Sequence, residues 1–230
     1  MCGRFALFAP RADVARFLAA DLPEEEELRP RWNIAPTQAV PAAIGPEGAR
    51  RIRFFHWGLI PPWARDRSFA ARMINARAET VAEKPAFRAA FRARRGLVPM
   101  SGFYEWRREG RLRRPWFFRP PDGGLLAAAA LWERWRDPEN GREILSLALL
   151  TTAANRVMAP IHHRMPVLLD AAGRRVWTDP EADPDHLRAL LRPAPEETLA
   201  AWPVDPRVNR ASWDRPDCVE PLAPEDRIGD

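Results

Sequence analysis

Twenty-five of the 230 residues are proline, and they are scattered along the chain rather than gathered into one tract. Each fixes φ, removes a backbone donor and disfavours helix at the residue before it. The sequence therefore reads as short elements joined by stiff connections. After Pro10, Val14, Phe17 and Leu18 share one helical face. The run Ile52 to Trp57 reads as a strand. A helix starting around Pro85 carries Phe87, Ala90 and Phe91 inward and stops at Arg94, Arg95 and Gly96. Further strands are expected at 97–100, 103–106, 116–119, 125–132, 144–151 and 165–169, with a short helix at 153–158. Segments 185–191 and 196–202 read as helical or partly so. The sum is a mixed, mainly antiparallel α+β chain.

No internal repeat or low-complexity linker divides the chain, and its length lies within the single-domain range of β-rich folds. The longest apolar run, Leu125 to Trp132, is too short to cross a bilayer, and the first residues do not read as a secretory signal. Cys2 and Cys218 make no disulfide framework; free thiols in a cytoplasmic protein are expected. No spacing of His and Cys suggests a metal, and no nucleotide-binding glycine motif is present, so no cofactor is expected.

Among the 36 Lys plus Arg residues only Lys84 is a lysine. Arginine stays protonated and cannot form an imine, so imine chemistry falls to Lys84 or the α-amine, and the lower reference pKa of the amine favours it. Arginine forks also suit phosphate. Cys2 directly follows the initiator Met1. Removal of Met1 would leave a thiol with pKa near ~8.5 beside an α-amine near ~7.7–8.0, a pair able to close on an aldehyde as a five-membered thiazolidine. Arg4 is expected to depress the thiol pKa.

Several further segments mix polar groups with aromatic, Pro or Gly neighbours. Alternation in Gly102-Phe103-Tyr104-Glu105-Trp106 puts Phe103 and Glu105 on one strand face. Glu105 is either an exposed edge residue or a desolvated proton shuttle. His162 and His163, if extended, point to opposite faces, so only one reaches a given site. Asn75 and Arg77 share a face on an extended backbone, suiting a substrate oxygen and a phosphate. Ten tryptophans, Trp63 and Trp106 among them, are mostly core candidates, with one or two available to stack on unpaired bases.

Six blocks, Met1-Cys2-Gly3-Arg4-Phe5, Trp32-Asn33-Ile34-Ala35-Pro36-Thr37, Trp57-Gly58-Leu59-Ile60-Pro61 with Trp63, Asn75-Ala76-Arg77-Ala78-Glu79-Thr80, Gly102-Phe103-Tyr104-Glu105-Trp106 and His162-His163-Arg164-Met165-Pro166, occur in this order. Together they resemble the SOS response-associated peptidase (SRAP) family, which has bacterial members and a eukaryotic abasic-site shield protein. The resemblance implies a compact α+β fold, mainly antiparallel strands with β-barrel character and flanking helices. It implies one domain over 1–230, in which the region after about 206 is a less family-like C-terminal extension. The implied activity is covalent shielding of abasic sites in single-stranded DNA through a thiazolidine crosslink, with reversal and weak lyase activity. The implied catalytic residues are Cys2 as nucleophile, Asn75 and Glu105 around the sugar, and His162 for proton transfer. Arg4, Arg77 and Asn33 correspond to DNA-binding positions, with Trp63 and Trp106 as stacking candidates. The implied partner is abasic single-stranded DNA, met by a monomer associated with the nucleoid and no membrane. Two other readings stand beside it: an autoproteolytic thiol peptidase using Cys2 and His162, and a non-covalent single-strand binder.

Overall fold

Short strands dominate the architecture. The structure, a computed structural model, describes residues 2–222. The strands are β1 (Phe5–Leu7), β2 (Arg31–Ile34), β3 (Ala39–Ile44), β4 (Arg51–Trp57), β5 (Asn75–Arg77), β6 (Arg95–Met100), β7 (Gly102–Glu109), β8 (Leu112–Arg119), β9 (Leu126–Arg136), β10 (Glu143–Ala153), β11 (Arg164–Pro166) and β12 (Ala200–Pro203). The helices are α1 (Arg11–Leu18), α2 (Arg88–Ala93), α3 (Ala171–Thr178) and α4 (Pro184–Ala189). Among the described residues no helix is long and apolar enough to cross a membrane.

Five strands close into a barrel. β4, β3, β6, β9 and β10 follow one another through antiparallel ladders, and a short parallel pairing of β10 with β4 (Ser146 with His56, Leu147 with Trp57) completes the ring. β10 is longer than its barrel partners need. Its second half pairs with β5 on one flank and β11 on the other. A second sheet, in the order β12-β8-β7-β1-β2, is antiparallel throughout. β6 runs almost directly into β7 through Ser101, so one chain segment passes from barrel to sheet. Ser101 marks the crossing: its N–H donates to the Ala6 carbonyl, and its Oγ accepts from Phe8 N at 3.0 Å.

Prolines also stand inside strands, at Pro41, Pro99 and Pro115. Each lies where only one flank of its strand is paired, so the missing N–H leaves no gap in a ladder. From the barrel strands, Phe55, Trp57, Leu97, Val98, Leu131 and Leu149 belong to the main core together with Cys2 and Phe5. A second cluster, Ala6, Tyr104, Phe117, Val204, Val208 and Cys218, packs on the opposite face of the second sheet. The residues after 206 therefore cover that face up to the end of the described region.

Three local expectations are corrected. The helix expected at 153–158 is absent: β10 runs to Ala153, and turns follow because Asn155 Oδ1 accepts from Met158 N at 3.0 Å. The helix expected from Pro85 does stop here, at Ala93 with Arg94 as its C-cap, but Arg95 and Gly96 already open β6. The Arg95 guanidinium is buried and donates to the carbonyls of Phe91, Trp177 and Asp179, tying together the ends of α2 and α3. The 196–202 segment is one helical turn followed by β12. α3 itself, capped by Asp170 on Gly173 N at 2.7 Å, had no expected counterpart.

Gly102, where β1 meets β7, has no room for a side chain: a Cβ there would lie 2.3 Å from Phe117 Cζ and 2.5 Å from the Phe118 carbonyl oxygen. Gly102→Ala is expected to destabilise the fold by about 1–3 kcal/mol, read as a lower urea midpoint. An unchanged midpoint would show that the sheet relaxes freely around this crossing.

Candidate active site

β1 is only three residues long, yet it is fixed on both edges. Phe5 pairs with Phe103 of β7 and with Ile34 of β2, and Tyr104 N donates to the Arg4 carbonyl at 2.9 Å. This places the residues preceding β1 alongside Glu105. Cys2 is fully buried, with Sγ 4.0 Å from the Arg4 carbonyl oxygen. Its own carbonyl accepts from Asn75 Nδ2 at 2.8 Å. Asn75 opens β5, which β10 holds beside the barrel (Leu149 with Asn75). The other amide atom, Asn75 Oδ1, is buried and has no hydrogen-bond partner among the described residues. An orphaned buried acceptor is costly, of order 1–3 kcal/mol, unless a donor arrives to fill it.

Glu105 lies on β7, opposite Trp116 of β8, and is only 3% exposed. The alternation of the strand holds: Phe103 faces the main core while Tyr104 and Trp106 face the second cluster. Burial raises the Glu105 carboxyl above the usual range. Burial likewise pushes the Cys2 thiol up to about 12, and the negative charge of Glu105 adds to it. This corrects the expectation for Arg4. Its guanidinium does not lower the thiol but donates to Asn33 Oδ1 at 2.7 Å and to the Val208 carbonyl at 2.8 Å.

A cleft of about 530 Å³ lies over Glu105, with Trp106, Ile161, His162 and His163 among its walls and Arg108 and Arg113 beside them. The turn after Asn155 brings the histidines there, as His162 N donates to the Met158 carbonyl at 3.0 Å. The two rings do not diverge. They stack at 4.4 Å, and both line the cleft, because the segment is turned rather than extended at this point. His162 Nδ1 accepts from Arg164 N at 3.0 Å. That bond leaves Nε2 as the protonated nitrogen of the neutral ring. Burial lowers the His162 pKa, so the ring is neutral at neutral pH. Arg164 is itself held by a bidentate pair with Glu79 and a bond to the Thr151 carbonyl.

Asn75 thus holds Cys2, Cys2 feels Glu105, and Glu105 shares its cleft with His162, although neither Cys2 nor Asn75 lines that cleft. Arg77 is exposed at the end of β5. Trp106 lines the cleft, donates from Nε1 to Asn209 Oδ1 at 2.6 Å, and lies under the Arg4 guanidinium at 5.9 Å. Trp63 is 55% exposed, edge-on to Phe69, and is not among the cleft residues. Asn33 offers no surface to a ligand. It is fully buried, and Nδ2 donates to the carbonyls of Val208, Arg210 and Trp213. Its observed job is to fasten the segment after 206 to β2, aided by Asp214, which accepts from Trp32 N and Asn33 N. Met1 lies outside the described residues. Sequence reasoning passed over Arg108, Arg113 and His163 as cleft residues. The two arginines were detectable as cross-strand partners about a Glu109-Gly110 turn. Among the described residues no group of three or more His, Cys, Asp or Glu side chains could hold a metal ion.

Residues 1–211 match the family described as SOS response associated peptidase (SRAP). The chain is 38% identical over 224 residues to the abasic site processing protein YoqW of Bacillus subtilis, covering 96% of this chain and 99% of that one. It is 26% identical to the abasic site processing protein HMCES of Gallus gallus, covering 96% of this chain and 78% of the relative. Among solved structures, a protein from Bacteroides thetaiotaomicron superimposes with a TM-score of 0.87 at 25% identity, covering 96% of this chain and all of the other.

The raised Glu105 pKa makes a stability prediction. The native state holds this proton more tightly than the unfolded chain does, so its stabilising effect is complete below the ordinary carboxyl pKa and is lost as pH rises through the raised value. Glu105→Gln removes the cost of the buried carboxylate. The variant is expected to melt above the wild type at pH 7.5, with the gap closing at about pH 4. A gap independent of pH between these values would contradict this.

Proposed function

This chain belongs to the SOS response-associated peptidase family, and on that premise we propose that it captures abasic sites in single-stranded DNA as a covalent adduct at Cys2 once Met1 is removed. The observation that carries the reading is the setting of Cys2. Asn75 grips its carbonyl, Glu105 bears on its thiol, and the orphaned Asn75 Oδ1 awaits a donor. The abasic site processing proteins that this chain resembles support the same substrate class.

The chemistry proceeds from neutral groups. The ring-opened abasic sugar presents an aldehyde at C1′. The α-amine of Cys2 adds to it, giving a carbinolamine, which loses water to form an imine. The thiol then adds across the C=N bond: sulfur bonds to C1′, and the thiol proton ends on nitrogen, closing the thiazolidine. One water leaves overall. Glu105, kept protonated to higher pH by burial, delivers a proton during ring opening and to the departing hydroxyl. Asn75 Oδ1 accepts from the amine or a sugar hydroxyl. His162, neutral with its proton on Nε2, serves the sugar oxygen and, in reverse, helps reopen the adduct. Each positioned proton transfer contributes roughly 10²–10⁴-fold. The imine also acidifies the adjacent sugar carbon, so weak strand cleavage by β-elimination is a side reaction.

The thiol peptidase reading fits less well. A cysteine pushed up to about 12 holds its proton at neutral pH, and His162 Nδ1 already accepts from Arg164 N. A Cys–His peptidase pair depends on a thiolate or on an immediate base. The segment after 206 belongs to the working unit, since it supplies the carbonyls that hold Asn33 and Arg4.

Met1-processed protein mixed with a single-stranded oligonucleotide bearing one abasic site is expected to give a shifted band on a denaturing gel, absent with the undamaged oligonucleotide. No shifted band from processed protein would overturn the reading. Cys2→Ala, or a residue added ahead of Cys2, should abolish the stable thiazolidine adduct. Cys2→Ser should leave only an imine that borohydride traps. His162→Ala is expected to slow release of the preformed adduct more than its formation; equal effects on both rates would remove the reversal role.

A further inference from the structure

The β7–β8 hairpin carries two cross-strand arginine pairs, Arg107 opposite Arg114 and Arg108 opposite Arg113. Like charges directly opposite one another destabilise a ladder. Within the first pair the protein supplies its own anion: Glu109 ion-pairs with Arg107 and with Arg114. Arg107 also lies over the Trp116 ring at 5.3 Å. The second pair is treated differently. Neither Arg108 nor Arg113 has an acidic partner at ion-pair distance among the described residues, and both are exposed. Both line the cleft that holds Glu105, His162 and His163. One hairpin thus neutralises one arginine pair and leaves the other, at the cleft, without an anion.

We infer that Arg108 and Arg113 form a clamp for a backbone phosphate of the DNA strand flanking the abasic nucleotide; this rests on the abasic-site reading above. Two guanidinium forks side by side match the oxygens of a phosphodiester, and the anion relieves the repulsion between them. Arg108 follows Glu105 by three residues on β7, roughly 10 Å along a strand. The clamp therefore takes a neighbouring phosphate rather than the sugar at Glu105. Because the pairing of β7 with β8 fixes both side chains relative to Glu105, gripping that phosphate sets how far the strand advances into the cleft. The clamp acts on encounter and register, while bond formation stays with Cys2 and its neighbours.

The test is equilibrium binding of an undamaged single-stranded oligonucleotide across a salt series, which needs no crosslink, run beside crosslinking of the abasic oligonucleotide. For Arg108→Ala/Arg113→Ala the slope of log affinity against log salt is expected to be shallower by roughly 0.7, the value for one phosphate contact on a single strand. Crosslinking at subsaturating DNA should slow roughly tenfold at low salt, with the rate at saturating DNA unchanged. Arg108→Lys/Arg113→Lys should restore the slope, and Arg107→Ala should barely move it. Methylphosphonate at single positions beside the abasic site should slow the wild type at one or two positions and leave the double alanine variant indifferent. A double variant with the wild-type salt slope and subsaturating rate overturns the clamp. Absence of any abasic-dependent crosslink in the wild type, with the slope change intact, would instead overturn the chemistry and leave the clamp standing.

Discussion

The parallel contact between β10 and β4 is the constraint on which the remaining arrangement depends. It closes the barrel with only two residue pairs, Ser146 with His56 and Leu147 with Trp57. Because that closure uses so little of an eleven-residue strand, β10 retains two open flanks beyond it. β5 takes one and β11 the other. Asn75 stands at the start of β5, and His162 leads into β11, so both are located by the same strand. Glu105 arrives from the barrel too, through the uninterrupted passage of β6 into β7. Three site residues far apart in sequence thus derive their positions from one closed ring, and the short β1 strand brings Cys2 to them.

Burial governs the electrostatics of the site in one direction. It raises Glu105, raises Cys2 and lowers His162, so each group favours its uncharged form. A resting site of this kind holds protons ready to give. It suits carbonyl addition and dehydration, in which the nucleophile is a neutral amine, better than attack by a preformed thiolate. Positive charge sits at exposed positions around this centre, on Arg77, Arg108 and Arg113, where solvent lowers its cost.

Much of the fold was legible locally. The runs that became β4, β7, β9 and β10 were read with the right type, because alternation in β7 and short apolar runs in β9 and β10 are local properties. The face-sharing of Phe103 with Glu105 followed from the same alternation. The unread elements, β1, β2, β3, β5 and β12, are short or interrupted by proline, and neighbours distant in sequence stabilise them. Asn33 shows the limit most clearly. Its motif marked it as special, yet its amide serves four internal partners, three of them contributed by residues after 206. The stacked histidines were misjudged because Asn155 organises a turn there, which a helical or extended pattern does not reveal. Arg95 was read only as part of a helix stop, and it is also a buried tie between two helix ends; composition alone does not separate those uses of arginine.

The bond from Arg4 to the Val208 carbonyl joins residues 204 positions apart, and it gives assembly an order in time. At roughly 5–20 residues per second on the ribosome, Cys2 emerges about ten to forty seconds before the segment that seals Arg4 and Asn33. Throughout that interval the amino end has no finished sheet to enter, and an aminopeptidase can reach it. In the folded chain Cys2 has no exposed surface. Exposure of the amino end is therefore tied to translation itself: the slower the synthesis, the longer Arg4 and Asn33 wait for the carbonyl of Val208 that both of them bind.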